Sequence, residues 1–250
     1  MKMNRLIVLI ILFAALACLY FISENVSRKQ QTVEISFLFP VLDKDSAEKI
    51  TITSPEKGGV VLGKDEAGWK IVSDNETYSA DTSHVNKLLD TTARLKSETI
   101  ASKNPANFEA FEATRTAGVE VVILDGNQNS IAAFFVGKSG PDVFSTYVQK
   151  AGSGEVVLTE GILKTVFEKD LNEWRDKTIF ALPADNIVKY LVEGEDGFVL
   201  EKDGEGKWQV SAPEPFPVNQ QEAKKSVERF AGLKTAGFEN GELQEFGLDK

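Results

Sequence analysis

The stretch ITITSPEKGGVVLGKDEAGWKIVSDNETYSADTSHVNKLLDTTARLK, residues 50–96, decides the fold, because a shortened copy of its pattern begins again at Ile187. The first copy has as landmarks Ile50, Leu62, Lys64, Trp69, Tyr78, Asp81, Leu95, Lys96 and Phe111. The second has Ile187, Leu200, Lys202, Trp208, Phe216, Asn219, Leu233, Lys234 and Phe246. The two sets stay 135 to 139 residues apart. This order and spacing indicate an internal duplication.

The residues of each copy predict a small antiparallel sheet followed by one helix. Ile50–Thr53 alternates between apolar and polar residues, as a half-buried strand does, and turns at 58–59 and 65–68 separate two more short strands. Asp81 is a good N-cap for a helix that reaches Leu95. Asn219 takes the same place in the second copy, with Glu222 at capping-box spacing.

The segment between the copies predicts further antiparallel strands. Residues 119–124 and 130–136 flank Asp125-Gly126-Asn127, a strong hairpin signal, and a second hairpin joins 143–149 to 155–158. A helix is expected over 160–167. The predicted fold class is therefore α+β: an N-terminal transmembrane helix and two related units, each an antiparallel β-sheet with a packed helix. We assign residues 1–31 to an anchor and stalk, 32–172 to the first unit, and 173–250 to the second, shortened unit.

The N-terminus has the composition of a membrane anchor. Leu6–Ile22 is free of charge over 17 residues, and Lys2 and Arg5 precede it. Such a run is at the short end of what spans a bilayer, and positive charge ahead of it favours a cytoplasmic N-terminus. Two alternatives remain open: cleavage after Ala17, as in a signal peptide, and lipidation of Cys18.

Charge and cysteine content exclude some classes of function. Residues 1–30 carry a net charge of +3 and the remainder carries −13, so the bulk of the chain repels phosphate backbones and nucleic acid is not an expected partner. Cys18, the only cysteine, lies in the apolar run, which leaves the rest of the chain without a disulfide or a thiol nucleophile.

No pattern of catalytic or metal-binding residues emerges from the sequence. His84 is the only histidine, and its place near a helix start is typical of a surface residue. The run 132–139 fits a loose phosphate-loop pattern, but its apolar residues predict a strand where a flexible loop is needed. We therefore expect no enzymatic activity, no cofactor and no metal site.

Aromatic residues supply the remaining candidates for contact with a partner or ligand. Trp69 and Trp208 recur at equivalent positions and are expected to anchor the sheets. Trp174, Arg175 and Asp176 lie between the copies, where either a structural clamp or a binding site is possible. Tyr147, in Ser145-Thr-Tyr147, is a further candidate contact.

Several short motifs together resemble the bacterial envelope family known as domain of unknown function 4340. They are the N-terminal span, Leu38-Phe-Pro40 with Leu42-Asp43, Ile50-Thr-Ile52, Gly68-Trp69, Asp81, Ser145-Thr-Tyr-Val148 and Trp174-Arg-Asp-Lys177. The resemblance implies a membrane-tethered periplasmic protein, commonly encoded beside ABC-type export or gliding-motility-like transport components. The family brings no known active site.

The leading hypothesis is a non-enzymatic accessory protein of an ABC-type envelope transport complex, single-pass in the bacterial inner membrane with most of the chain periplasmic. Its partners would be the lipid bilayer and the transporter subunits or other envelope proteins. The alternative is a non-catalytic module that binds a cell-wall glycan or peptide through exposed aromatic rings near Trp174 or Tyr147.

Overall fold

A computed structural model describes residues 36–73 and 76–238. The predicted span at Leu6–Ile22, Cys18, the anchor and stalk of residues 1–31, and Phe246 lie outside the described residues. None of the helices in the described part of the chain is long and apolar enough to cross a membrane.

The described chain is α+β, with antiparallel sheets and few helices. Its strands are β1 (Ser36–Phe37), β2 (Ala47–Ser54), β3 (Gly58–Asp65), β4 (Gly68–Val72), β5 (Thr77–Ser79), β6 (Lys96–Ser97), β7 (Thr99–Ser102), β8 (Val119–Asp125), β9 (Ser130–Ser139), β10 (Ser145–Lys150), β11 (Val156–Glu160), β12 (Lys189–Val192), β13 (Phe198–Lys202), β14 (Trp208–Ala212) and β15 (Phe216–Pro217). Its α-helices are α1 (Thr82–Arg94), α2 (Lys164–Phe167), α3 (Leu171–Trp174) and α4 (Gln220–Ala231).

The described residues divide into two compact units, residues 36–59 with 86–169 and residues 60–85 with 170–238. From the sequence we placed a boundary between 172 and 173 and assigned residues 60–85 to the first unit. They belong with the later residues because Ser79 and Asp81 exchange backbone hydrogen bonds with residues 174–176.

The first unit contains a run of antiparallel strands in the order β2-β8-β9-β10-β11-β7, and a short ladder between β1 and β6. The predicted hairpins are confirmed: β8 pairs with β9 and β10 pairs with β11. Alternate residues of the strands are fully buried, among them Ile50, Val121 and Phe134. Phe134 packs edge-on against Phe167 of α2, with ring centroids 5.3 Å apart, so this short helix closes the core.

The helix expected over 160–167 is shorter than predicted. Glu160 still belongs to β11, where it pairs with Ser145, and Gly161 has a positive φ of 111°. A left-handed residue cannot continue a right-handed helix, so the helical turn begins only at Lys164.

The second unit contains the predicted meander β3-β4-β5 and a separate antiparallel sheet in the order β12-β13-β14-β15. Helix α4 buries Ala223 and Val227 against Leu200, Trp208 and Val210 of the four-stranded sheet. Asn219 caps α4 as predicted. The Glu222 carboxylate accepts a hydrogen bond from the Lys225 ammonium at 2.9 Å, and the reciprocal bond of a capping box is not among the contacts of this cap.

Candidate functional site

The residues Trp174–Asp176, here called the strap, follow directly from a short capped helix. The Asp170 carboxylate accepts the Glu173 N–H at 2.9 Å, and the Glu173 carboxylate accepts the Asp170 N–H at 3.0 Å. This reciprocal capping box fixes α3 although it is only one turn long. Arg175 is then extended, with φ −72° and ψ 141°, so the chain leaves the helix as a strand.

The strap pairs with the end of β5 as an added antiparallel strand. Arg175 and Ala80 form an antiparallel bridge. On either side of it, the Asp81 N–H donates to the Trp174 carbonyl and the Asp176 N–H donates to the Ser79 carbonyl, both at 2.8 Å. The strap therefore satisfies backbone groups at the strand edge and the helix start, where partners within the sheet and helix are lacking.

Trp174 is the buried anchor of the strap, with 0% of its surface exposed. Its ring stands edge-on to the ring of His84, with centroids 6.2 Å apart. The His84 Nδ1 lies 2.9 Å from the Glu173 carbonyl oxygen, so Nδ1 carries the proton in this hydrogen bond. The Trp174 Nε1 has no hydrogen-bond partner among the described residues. The indole thus contributes apolar packing.

Arg175 lies between two aromatic rings. The centre of its guanidinium is 3.9 Å from the ring centroid of Tyr78 and 3.5 Å from that of Phe238. Stacking on both faces of a planar cation is the geometry that favours arginine over lysine. Asp176 is exposed, and its carboxylate accepts the Thr178 N–H at 2.9 Å, which turns the chain after the strap.

Asp81 links the strap to helix α1. Its carboxylate accepts the N–H groups of Ser83 at 2.9 Å and His84 at 3.2 Å, as the sequence predicts for an N-cap. Partial burial raises the pKa of Asp81, but the hydrogen bonds from His84 and Ser83 and the charges of His84 and Lys234 outweigh it, so the net pKa lies below its usual value. The ionised carboxylate is the form that this site stabilises.

Tyr147 lies in the first unit, on β10, where it pairs with Leu158. Its ring is half-buried and packs on Phe111, with centroids 4.7 Å apart. The preceding Thr146 is buried, and its hydroxyl donates to the Gly161 carbonyl at 2.6 Å. These contacts are those of a strand that fixes its neighbouring turn.

The structure thus gathers Trp174, Arg175 and Asp176 into one strap and places Tyr147 in the other unit. The glycan or peptide module depended on exposed rings at Trp174 or Tyr147. Trp174 is fully buried and Phe111 packs on the ring of Tyr147, so neither supplies the open platform that stacking requires. The clamp interpretation of the junction agrees with these contacts.

An apolar pocket in the second unit has no counterpart among the sequence-predicted sites. Its volume is about 580 Å³, and Leu200, Val210 and Phe216 form part of its apolar wall, with Glu195 and Glu222 among its acidic lining. The sequence carries no signal for it, because its walls come from β13, β14, β15 and the start of α4. Within the described residues, no group of three His, Cys, Asp or Glu side chains is placed to hold a metal ion.

A family model described as "Domain of unknown function (DUF4340)" matches residues 69–250 of the chain. The protein therefore belongs to this family. The match includes Trp69, Asp81, Tyr147 and the strap. Comparisons with curated proteins and with solved structures gave no match.

Proposed function

We propose that the protein is a membrane-anchored periplasmic accessory protein of an ABC-type envelope transport complex, and that it acts through protein–protein contacts. The observation that carries the proposal is an incompletely covered second copy of the repeated unit, which presents apolar residues and an open strand edge. A partner protein would cover both.

The two related units are part of this proposal, and the order of elements supports them. In one copy β2, β3, β4 and β5 precede α1, and in the other β12, β13, β14 and β15 precede α4. A 3-10 helix, Lys44–Ser46 or Ala184–Asn186, precedes the first strand of each. This alignment sets Tyr190 opposite Ile50, three residues further along than the Ile187 of the sequence comparison.

Strand register supports the duplication independently. Leu62 pairs with Ile71 and Lys64 with Trp69, as Leu200 pairs with Val210 and Lys202 with Trp208. The next strand continues the match, because Ile71 pairs with Tyr78 as Val210 does with Phe216. Identical register over three strands is not required by the antiparallel arrangement itself.

The segments that flank the two copies also correspond. The Leu38 N–H donates to the Leu95 carbonyl, and the Ile179 N–H donates to the Leu233 carbonyl, each at 2.8 Å. In both copies, therefore, a chain segment ahead of the sheet returns to pair with the residue just after the helix.

The copies differ in what covers the first strand. β2 has β8 on one edge, with pairs such as Ile50 with Ile123. β12 pairs with β13 and, within the described residues, with no strand on its other edge. Because the Lys202 N–H donates to the Val188 carbonyl, alternation directs the backbone groups of Lys189 and Leu191 to the open edge. Leu191 is 56% exposed.

An open edge with exposed apolar residues is a template for strand addition, and soluble proteins usually protect it. Further exposed apolar side chains of the second unit lie nearby in sequence, including Ile179, Leu182 and Val188. The uncharged run at Leu6–Ile22 and the basic residues before it favour a single membrane span with this unit on the periplasmic side.

The test is a crosslinked pull-down of the tagged full-length protein from native membranes, with mass spectrometry of the captured proteins. We expect ABC permease or ATPase subunits. Leu191→Asp places a charge at the open edge and is expected to reduce their capture at least tenfold. Val41→Asp is the matched control, because Val41 is 91% exposed and lies in the first unit.

Capture of transport subunits that Leu191→Asp and Val41→Asp affect equally would contradict the role of the open edge. Retention of the protein on cell-wall material, with no transport subunit captured, would contradict the accessory function itself.

A further inference from the structure

The strap of the first copy shows what the pocket of the second copy is shaped to bind. We infer that the 580 Å³ pocket binds an extended segment of a partner protein that carries a tryptophan followed by an arginine, as the strap does. The inference rests on the proposed function for the existence of a partner, and it adds the site and the chemistry that the partner must present.

Residue equivalence is the first argument. The strap contacts Tyr78, Ala80, Asp81 and His84 through a ring, a bridge, a hydrogen bond and a ring edge respectively. At a spacing of 138 residues the equivalent positions in the second copy are Phe216, Val218, Asn219 and Glu222. All four of these residues line the pocket. The pocket is therefore the equivalent of the seat of Trp174.

The backbone of the second copy keeps the two groups that bind the strap. In the first copy these are the Ser79 carbonyl and the Asp81 N–H. Their equivalents are the carbonyl of Pro217 and the N–H of Asn219. Proline lacks an N–H, but the strap takes no hydrogen bond from the N–H of Ser79, so Pro217 leaves the docking pattern intact.

The side chains of the second copy suit a tryptophan–arginine pair. Phe216 is 53% exposed, and it stands where Tyr78 stacks on Arg175. Glu222 replaces His84, and Glu195 and Asp196 also line the pocket, so a cation on the incoming segment meets acidic groups. Leu200, Val210 and Ala223 supply the apolar wall for an indole.

A partner protein is a better occupant than a second copy of this chain. The sequence contains one Trp-Arg pair, Trp174-Arg175, and both side chains are already engaged within their own chain. A second copy would have to withdraw its strap, exposing Trp174, before it could donate the segment.

The probe is a fluorescein-labelled peptide with the strap sequence NEWRDKT, residues 172–178, titrated into the purified full-length chain and followed by fluorescence anisotropy. The first seat is already filled by the chain's own strap, so we expect saturable binding at one site per chain. Replacement of the peptide's tryptophan by alanine is expected to weaken binding roughly 30-fold, as for a buried anchor. Replacement of its arginine is expected to weaken binding about fivefold.

Two variants of the chain locate the binding site. Ala223→Trp fills the pocket from α4 and is expected to abolish binding, whereas Ser226→Trp, on the exposed side of the same helix, is the matched control. Phe216→Ala removes the exposed ring and is expected to weaken binding about fivefold or more, even if Ala223→Trp perturbs folding. Phe144→Ala is its control, because Phe144 is exposed in the first unit.

Equal binding of the tryptophan and alanine peptides, or binding that Ala223→Trp and Phe216→Ala leave unchanged, would overturn the inference. Self-association of the chain that Ala223→Trp abolishes would overturn the choice of a partner, because a second copy would then be the occupant. Peptide binding without capture of transport subunits would reject the accessory role and keep the pocket; the reverse result would reject the pocket alone.

Discussion

The two copies of the repeated unit share strand order, register and helix, but one contains a strap where the other contains a pocket. In the first copy Trp174 is buried against the edge of β5 and the start of α1. In the second copy the equivalent residues of β15 and α4 line a pocket of about 580 Å³. The difference teaches that this meander-and-helix unit does not cover its own edge, and that an added segment completes it.

The largest expected effect comes from removing the anchor of the strap. Trp174→Ala empties a fully buried site and is expected to lower the free energy of unfolding by about 3–5 kcal/mol. Trp174→Phe is the control: it keeps most of the packing and removes a buried N–H that has no partner among the described residues, so its cost is expected to be clearly smaller. Urea unfolding followed by circular dichroism measures both. Equal losses for the two variants would show that the strap does not act through indole packing.

The next effect compares one residue type at equivalent positions. Leu62 is 0% exposed in the first copy, and Leu200 is 5% exposed and lines the pocket. Leu62→Ala is expected to cost about 3–4 kcal/mol and Leu200→Ala about 2 kcal/mol, because a site beside an existing opening loses fewer contacts. Urea unfolding of both variants gives the difference. A larger loss for Leu200→Ala would indicate that the pocket is closed in solution.

The smallest effect concerns the two helix caps, Asp81 and Asn219. Asp81→Ala is expected to cost about 1 kcal/mol at pH 7. Asp81→Asn copies the cap of the second copy, keeps the hydrogen bonds and removes only the charge, so we expect it to cost about 0.5 kcal/mol.

The pH dependence of that comparison follows from the lowered pKa of Asp81 in the folded protein. A carboxyl whose folded pKa lies below its unfolded pKa adds stability above the unfolded value, near 3.8, and loses it as the pH falls through the folded value. The stabilities of the wild type and Asp81→Asn should therefore converge below about pH 3. Thermal unfolding between pH 2.5 and pH 7 measures this, and a constant difference over that range would refute it.

Local patterns allowed much of each unit to be predicted. Alternation at Ile50–Thr53, the turn residues at Asp125-Gly126-Asn127 and the caps Asp81 and Asn219 act over a few residues, and each is found in the structure. The helix expected from residue 160 failed for a local reason as well, since the positive φ of Gly161 and the pairing of Glu160 outweighed helical propensity. The family assignment was confirmed by the match over residues 69–250.

The candidate site was only half accessible from sequence. Trp174-Arg175-Asp176 stood out as a motif between the copies, but the sequence left a clamp and a ligand site as alternatives. Deciding between them needed the hydrogen bonds to Ser79 and Asp81 and the burial of Trp174, which involve residues about 95 positions apart. No local pattern encodes such a pairing.

By itself the sequence determined the α+β class, the strands and helices of each copy, the repeated landmarks and the family, because propensity, capping and alternation depend on neighbouring residues. Only the tertiary structure decided that the strap completes the edge of β5, that Trp174 is buried, and that the second copy holds a pocket at the equivalent place. These features depend on which distant backbone groups find partners and which apolar surfaces are covered, and both are properties of the folded chain.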